Sequence, residues 1–339
     1  MGQRALIIGG SGQIGQACAS ALLAAGWSVT AGQKRPERFP AELIAAGARA
    51  IHLDRSDDDS LARAVGGGFD ALIDTVAFDD GHARQLLAIQ ADVGAFVVIS
   101  SGSVYRDDAG RTLDEARETG FPRFPIPIPE TQPTVAPGQA TYSTRKVALE
   151  RTLLNEATRP VTILRPFAIH GPGSLHPREW WFVKRILDGR RRAPLAHGGE
   201  SIFHTSAVAN IAELARVALE GAAPRVLNAV DPQALTVAAI GRTIAKVYGV
   251  ELDLVPIEGP PAKGVGATPW SGPYPIVADM SRAEAAGYRP VTTYEDAIGA
   301  ACRSAVAMAA AGEQFVAYLS AMFDYEAEDR FFAAQALRK

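Results

Sequence analysis

The sequence predicts an α/β protein, a doubly wound parallel sheet followed by a smaller C-terminal lobe. Three observations predict it. Short apolar runs alternate with helix-like stretches over the first hundred residues, a glycine cluster follows the first run directly, and a proline-rich stretch then breaks the alternation. Strands separated by single helices imply parallel pairing through right-handed crossovers.

In order, residues 4–8 read as the first strand, and residues 13–25 as an Ala- and Leu-rich helix that Gly26 closes as a C-cap. Residues 27–31 read as a strand, 41–46 as a helix stopped by Gly47, and 50–53 as a third strand. Residues 57–65 open on acids, which favour a helix N-terminus, and end at three glycines, 66–68. Residues 70–76, 82–91 and 95–100 continue the alternation. Residues 106–141 hold Pro122, Pro125, Pro127, Pro129, Pro133 and Pro137, too many for a helix or a central strand. They read as a long ordered loop over the ligand crevice. Helix returns at 141–157 and strand at 161–165.

Beyond Gly171 the chain is expected to build mainly a second lobe. Helices are expected at 180–187, 207–219 and 237–248, with strands at 225–230 and 252–256. The domain expectation is therefore 1–170 for the first domain, with a return segment at about 200–230, and 171–339 mainly for the second. Residues 313–337 carry apolar positions at near-helical spacing. They fit either a face for a second copy of the chain, giving a homodimer, or a helix covering its own core.

Composition narrows the function classes. The 339 residues are 47% apolar and 21% charged with a net charge of −3, so neither disorder nor a basic nucleic-acid footprint is expected. The two cysteines, Cys18 and Cys302, lie far apart and without metal-ligand spacing, which excludes a disulfide scaffold and a zinc site. No run approaches the roughly 18 apolar residues of a membrane span. Residues 1–6 lead into a strand pattern rather than a leader, so a cytoplasmic protein with no membrane partner is expected.

Gly9, Gly12 and Gly15 give G-x-x-G-x-x-G between the first strand and first helix. A dinucleotide pyrophosphate needs such a tight turn, close backbone approach and an open helix N-terminus, here at Gln13 and Ile14. The context makes the first domain Rossmann-type. Cofactor choice is read after the second strand, where NAD sites carry an acid and NADP sites carry cations. The chain has Gln33, Lys34 and Arg35 there, which favours NADP(H), with NAD(H) the alternative and a solvated cation pair the plain one. Asp54, after the third strand, fits either a hydrogen bond to adenine or a helix cap.

Tyr142 and Lys146 stand four residues apart, on one face of a helix. A free phenol titrates near 10, and a nearby ammonium together with the positive nicotinamide ring favours the phenolate, so a lowered pKa for Tyr142 is expected. The stretch Ser100-Ser101-Gly102-Ser103-Val104-Tyr105 puts hydroxyls at the C-terminal end of a central strand.

With the glycine loop, that serine stretch, the Tyr/Lys pair and Arg165-Pro166, the sequence resembles the extended short-chain dehydrogenase/reductases, in particular the NAD-dependent epimerase/dehydratase family. The segments 164–173, 202–209 and 279–290 extend the resemblance to about residue 305. It implies Tyr142 as acid/base, Lys146 as the group that tunes it and holds the nicotinamide ribose, Ser101 as the catalytic hydroxyl, and Ala77 under the nicotinamide. Ser103 and Ser100 are the other choices for the hydroxyl. Three departures stand out: a longer stretch between Tyr105 and Tyr142, Glu200 where nucleotide-sugar enzymes carry an arginine, and Ser206-Ala207 in place of an acid pair.

Phe121, Phe124, Ile126 and Ile128, with Trp180 and Trp181, could wall an apolar substrate or simply fill a core. Arg190, Arg191 and Arg192 could hold an anionic tail or merely follow a helix C-terminus. His170 and His204 are read as packed residues. The function expected is NADP(H)-dependent hydride transfer at a carbonyl/hydroxyl carbon of a small molecule. A nucleotide-sugar epimerase/dehydratase is the alternative, as is a non-catalytic NADP(H) sensor or RNA-binding protein on the same fold.

Overall fold

The computed structural model describes residues 2–220, 225–262 and 264–337. Met1, residues 338–339 and residues 221–224 of the expected return segment lie outside the described residues. The chain divides into two compact units. The first comprises Met1–Ile169, Ser206–Asp231 and Ala278–Thr292, and the second His170–Thr205, Pro232–Val277 and Thr293–Lys339. Residues 278–292, which the sequence places with the C-terminal lobe, therefore pack with the first unit.

The first unit is built on a seven-stranded parallel sheet. Its strands are β1 (Arg4–Ile8), β2 (Ser28–Gln33), β3 (Arg49–His52), β4 (Phe69–Asp74), β5 (Val93–Ile99), β6 (Val161–Pro166) and β7 (Arg225–Ala229). Across the sheet they run β7-β6-β5-β4-β1-β2-β3, every neighbouring pair parallel. Helices cover both faces, so the central strands read as unbroken apolar runs whose alternate residues enter opposite cores. On β1, Ala5 and Ile7 join the core formed with Cys18 and Leu22 of helix Gln13–Ala24 and Ile211 and Leu214 of helix Val208–Leu219. Leu6 and Ile8 join the other, with Leu61, Leu86, Leu149 and Leu153.

Chain order reverses beside β1, whose neighbours are β2 and β4. In such sheets ligands bind outside the carboxyl ends at that reversal. Gly9, Gln33, Thr75 and Ser100 each follow or end one of these strands. The proline-rich stretch is ordered, as expected, apart from one short helix, Ala116–Thr119. Asn228 of β7 fastens it, donating from Nδ2 to the Ile128 carbonyl at 3.0 Å and from its backbone to Glu130 at 3.0 Å.

The second unit contains a two-stranded parallel ladder, Arg192–Leu195 with Asp253–Pro256, and helices Trp180–Leu187, Val237–Val247 and Tyr294–Ala310. The last was not read from the sequence, although Thr293 caps it through the Asp296 N–H. Residues 313–337 form two helices, Ala317–Ser320 and Tyr325–Ala336, rather than one. Glu328 of the latter is buried in an ion pair with Arg185, which supports the self-covering role for this segment. Among the described residues no helix is long and apolar enough to cross a membrane.

Candidate active site

The glycine turn is shaped by the chain itself at two positions. Gly9 has φ +83°, which favours glycine, and its N–H donates to the Gly32 carbonyl at 3.0 Å. A Cβ on Gly15 would collide with the Gly9 carbonyl. Gly12 is different: a Cβ there would touch only the Gly9 oxygen, at 3.4 Å, so the protein's own packing does not demand glycine. Gly12 caps helix Gln13–Ala24 with no side-chain bond, leaving the first-turn N–H groups, those of Gln13 and Ile14 included, open to an anion.

Beside this turn lies a cavity of about 440 Å³ lined by Gly9, Gly32, Gln33, Arg35, Arg38 and Arg55 among others. Gln33 ends β2, is buried, and neither amide atom has a hydrogen-bond partner. An unsatisfied buried amide costs about 1–3 kcal/mol, so its placement in a ligand groove has a physical motive. An open helix end, a glycine the protein does not need and an orphaned amide together fit a dinucleotide.

Lys34 and Asp54, given separate roles from the sequence, are joined: Lys34 Nζ lies 2.9 Å from Asp54 Oδ1. That contact, with the Ser56 N–H, holds the Asp54 carboxyl below its usual range. Asp54 does not cap the following helix; Asp57 does, accepting from the Asp59 N–H. Arg35 and Arg38 are exposed on the cavity wall, and Arg38 is a cation that sequence reasoning missed.

At the other end of the reversal, helix Tyr142–Glu156 opens with a capping box between Thr141 and Thr144. Tyr142 sits on its first turn, 44% exposed, its ring 5.7 Å from that of Phe78. Its pKa is drawn down by the Ser101 hydroxyl. Ser101 reaches Ser103 Oγ at 3.0 Å, and Ser143 donates to Ser103 Oγ at 2.9 Å. Ser101, the choice carried by the resemblance, is thus the serine whose hydroxyl acts on the phenol. Ser100 instead bonds Glu150, whose carboxylate also grips Arg165.

The protein's own groups do not lower the Tyr142 pKa. Burial of the hydroxyl pushes it up, the nearby Asp114 carboxylate adds to this, and the Ser101 hydroxyl only partly opposes them. The reason lies with Lys146. Its ammonium, 5.7 Å from the Tyr142 ring centre, is directed to the carbonyls of Ala77 at 2.5 Å and Ile99 at 3.0 Å. Lys146 is only 5% exposed, and burial brings its pKa down to about 8 against the pull of Asp74 and Glu150. The phenol and the ammonium share a helix face as expected, but the amine is spent on backbone oxygens. Ala77 contributes one of those carbonyls.

Sequence reasoning gave no separate role to Gln33 and missed Arg38, Arg55, Asp74 and Asp114. Asp114 reaches from the proline-rich stretch to accept the Ser143 N–H at 2.8 Å, so this stretch helps fix the helix that carries Tyr142. One replacement noted in the sequence has a structural use: Ser206 accepts from the Phe167 N–H and donates to the Ala229 carbonyl. In the second unit Trp181 is fully buried with the Arg185 guanidinium 3.5 Å over its ring, and Trp180 packs on Phe315. Arg190 pairs with Asp329 and Arg192 with Asp253, which favours the helix-end role for those cations.

Residues 9–169 match the model of a family described as NAD(P)H-binding. No curated protein matches the chain. Among solved structures, the UDP-glucose 4-epimerase of Thermotoga maritima, with UDP-glucose, is similar at 18% identity and a TM-score of 0.67, over 90% of this chain and 99% of that one. The Bordetella bronchiseptica enzyme WbmH, in complex with NAD+, is similar at 17% identity and 0.69, over 91% and 99%. The UDP-glucuronic acid 4-epimerase of Bacillus cereus, with UDP-glucuronic acid and NAD, gives 17% and 0.66, over 90% and 99%.

Proposed function

From a chain with the extended short-chain dehydrogenase/reductase fold and an NAD(P)H-binding segment at 9–169, we propose an NADP(H)-dependent oxidoreductase acting at a carbonyl/hydroxyl carbon of a small molecule. The observation that carries the reading is the Tyr142 ring 5.7 Å from the buried Lys146 ammonium one helical turn along, with the Ser101 hydroxyl acting on the phenol. In this reading Gly9, Gly12, Gln13, Ile14 and Gly15 hold the pyrophosphate, and Gln33, Lys34, Arg35 and Arg38 read the adenosine ribose. Among the described residues Arg35 and Arg38 have no acidic partner, unlike Lys34, and suit the 2′-phosphate of NADP(H). Lys146 would hold the other ribose, and Ala77 would floor the nicotinamide. When bound, the nicotinamide supplies or accepts a hydride.

Tyr142 handles the proton. Held above its ordinary pKa, it is a neutral phenol at pH 7, the form that donates to a carbonyl oxygen during reduction. Ser101 orients and polarises the same oxygen. The direction best matched to the resting protonation state is therefore reduction of an aldehyde or ketone. The test is NADPH oxidation with a panel of aldehydes and ketones. Tyr142→Phe is expected to lower kcat/KM by about 100- to 10,000-fold with NADPH affinity kept. Equal turnover in both proteins removes the mechanism; tight NADPH binding without turnover in the wild type favours a sensor.

A second reading, a nucleotide-sugar epimerase using NAD, is favoured by the similarity of the fold to epimerases over 99% of their chains. Glu200, in place of an arginine that would meet a diphosphate, speaks against it. Interconversion of UDP-sugars without net NADPH consumption would establish this second reading over the first.

A further inference from the structure

The chemistry above leaves unused a pair of buried charges behind Lys146. Asp74 ends β4 and is wholly buried. Its Oδ1 accepts the N–H groups of Val76 at 3.0 Å and Ala77 at 2.8 Å, which fixes the turn whose Ala77 carbonyl receives the Lys146 ammonium. Its Oδ2 lies 2.9 Å from Arg55 Nη2. Arg55 is itself buried, donates to Gln85 Oε1 and to the His82 carbonyl, and forms part of the wall of the 440 Å³ groove. Its Nε has no hydrogen-bond partner among the described residues. A carboxylate is thus shared between an arginine on the dinucleotide groove and the turn that seats the lysine.

We propose that Arg55 and Asp74 are positioning residues for Lys146. Asp74 locks the 75–77 turn and lends its negative charge to the ammonium, while Arg55 sets how much of that charge the lysine feels. The inference rests on the reading of Lys146 as the group beside the catalytic phenol, and it extends that site to its adenosine side. The charged and titratable groups facing Lys146 are Tyr142 and Glu150 from its own helix, Asp74 from β4 and, more distantly, His82 from the helix Asp80–Ala88. Behind them, Arg55 pairs with Asp74 and Arg165 with Glu150. Burial brings the lysine down to about 8, and Asp74 comes first among the charges that resist it.

The signs are opposite for the two partners, which gives a test that general loosening does not mimic. The chain has six lysines, so the full-length protein labelled with ε-13C lysine gives a simple spectrum in which Lys146→Arg identifies the Lys146 resonance. Asp74→Asn keeps an acceptor and removes the charge, and the Lys146 midpoint is expected to fall by about one pH unit or more. Arg55→Met unshields Asp74, and the midpoint is expected to rise by a similar amount. Should Asp74→Asn fail to fold because Arg55 is left unpaired, Arg55→Met/Asp74→Asn removes both charges and is expected to abolish the rise that Arg55→Met alone produces. Unchanged midpoints, or a shift of the same sign in both single variants, overturn the proposal. Turnover measured alongside separates the two ideas. Opposite shifts with equal turnover in wild type and Tyr142→Phe keep the pair and sink the reductase; a dead Tyr142→Phe with unmoved Lys146 does the reverse.

Discussion

The two rims of the groove in the first unit carry similar numbers of charges and treat them in opposite ways. On the β2 rim, Lys34 and Asp54 pair with side chains 61% and 33% exposed, and Arg35 and Arg38 stand in solvent. On the β4–β5 rim, Asp74, Glu150, Lys146 and Arg165 are all at most 5% exposed and form a set in which carboxylates, cations and backbone oxygens satisfy one another. Exposed charges are screened and cheap to change, whereas buried ones are bound up with stability and with each other's protonation. The β2 rim is therefore suited to selecting a ligand, and the β4–β5 rim to holding a proton at a fixed free energy.

The sharpest way to break this contrast is to remove one buried partner. Glu150→Ala leaves Arg165 without its counter-ion and Ser100 without its acceptor, and is expected to cost about 3–5 kcal/mol of unfolding free energy in urea titrations. A loss below about 1 kcal/mol would mean that the two rims are energetically alike. Lys146→Met comes next. Lys146 titrates at about 8 in the folded chain against 10.5 unfolded, so the protein binds fewer protons folded than unfolded between these values. Stability must then rise with pH across that window and carry the full cost of the buried ammonium below it. At pH 7 Lys146→Met is expected to unfold no more easily than the wild type, even if the proposed role of Lys146 makes it inactive. The wild type should gain on it by about 1–3 kcal/mol from pH 7.5 to 10. Parallel stability curves for the two proteins would remove the buried charge from the account.

The rims also differ in how far the sequence discloses them. The β2 rim is largely local: Gly9, Gly12, Gly15 and the Gln33-Lys34-Arg35 run lie within one strand–helix–strand, and spacing alone brings them together. What escaped was the pairing of Lys34 with Asp54 across β2 and β3, since each has its own role in a linear reading. The β4–β5 rim is assembled over long separations. Tyr142 and Lys146 are legible as a helical pair, but Arg55 meets Asp74, Asp114 meets Ser143, and Glu150 meets Ser100 only after the sheet forms. The direction in which the protein's own groups move Tyr142 is hidden for the same reason. Proximity of an ammonium is readable from spacing, whereas its commitment to the Ala77 and Ile99 carbonyls is not. The sheet itself was legible because strands buried on both faces leave unmistakable apolar runs. The return of residues 278–292 to the first unit was not, because Ala283 and Tyr288 enter its core from a segment with no strand of its own.

Smaller effects belong to the exposed rim. If Arg35 reads a 2′-phosphate, Arg35→Ala should weaken NADPH by about tenfold and NADH hardly at all, as dissociation constants measured by fluorescence titration would record. Equal losses for both dinucleotides would show that the cation meets the pyrophosphate or nothing specific. The smallest change and the most discriminating is Asp54→Asn. It leaves the backbone in place and frees Lys34, which the Asp54 carboxylate otherwise neutralises. NADPH binding is then expected to tighten by no more than about threefold at low salt, with the gain erased at high salt, as for any exposed pair. An effect of that size and salt dependence marks a screened rim. A weakening instead would mean that Asp54 itself contacts the ligand, and that this rim, like its buried counterpart, is a set of charges that cannot be changed one at a time.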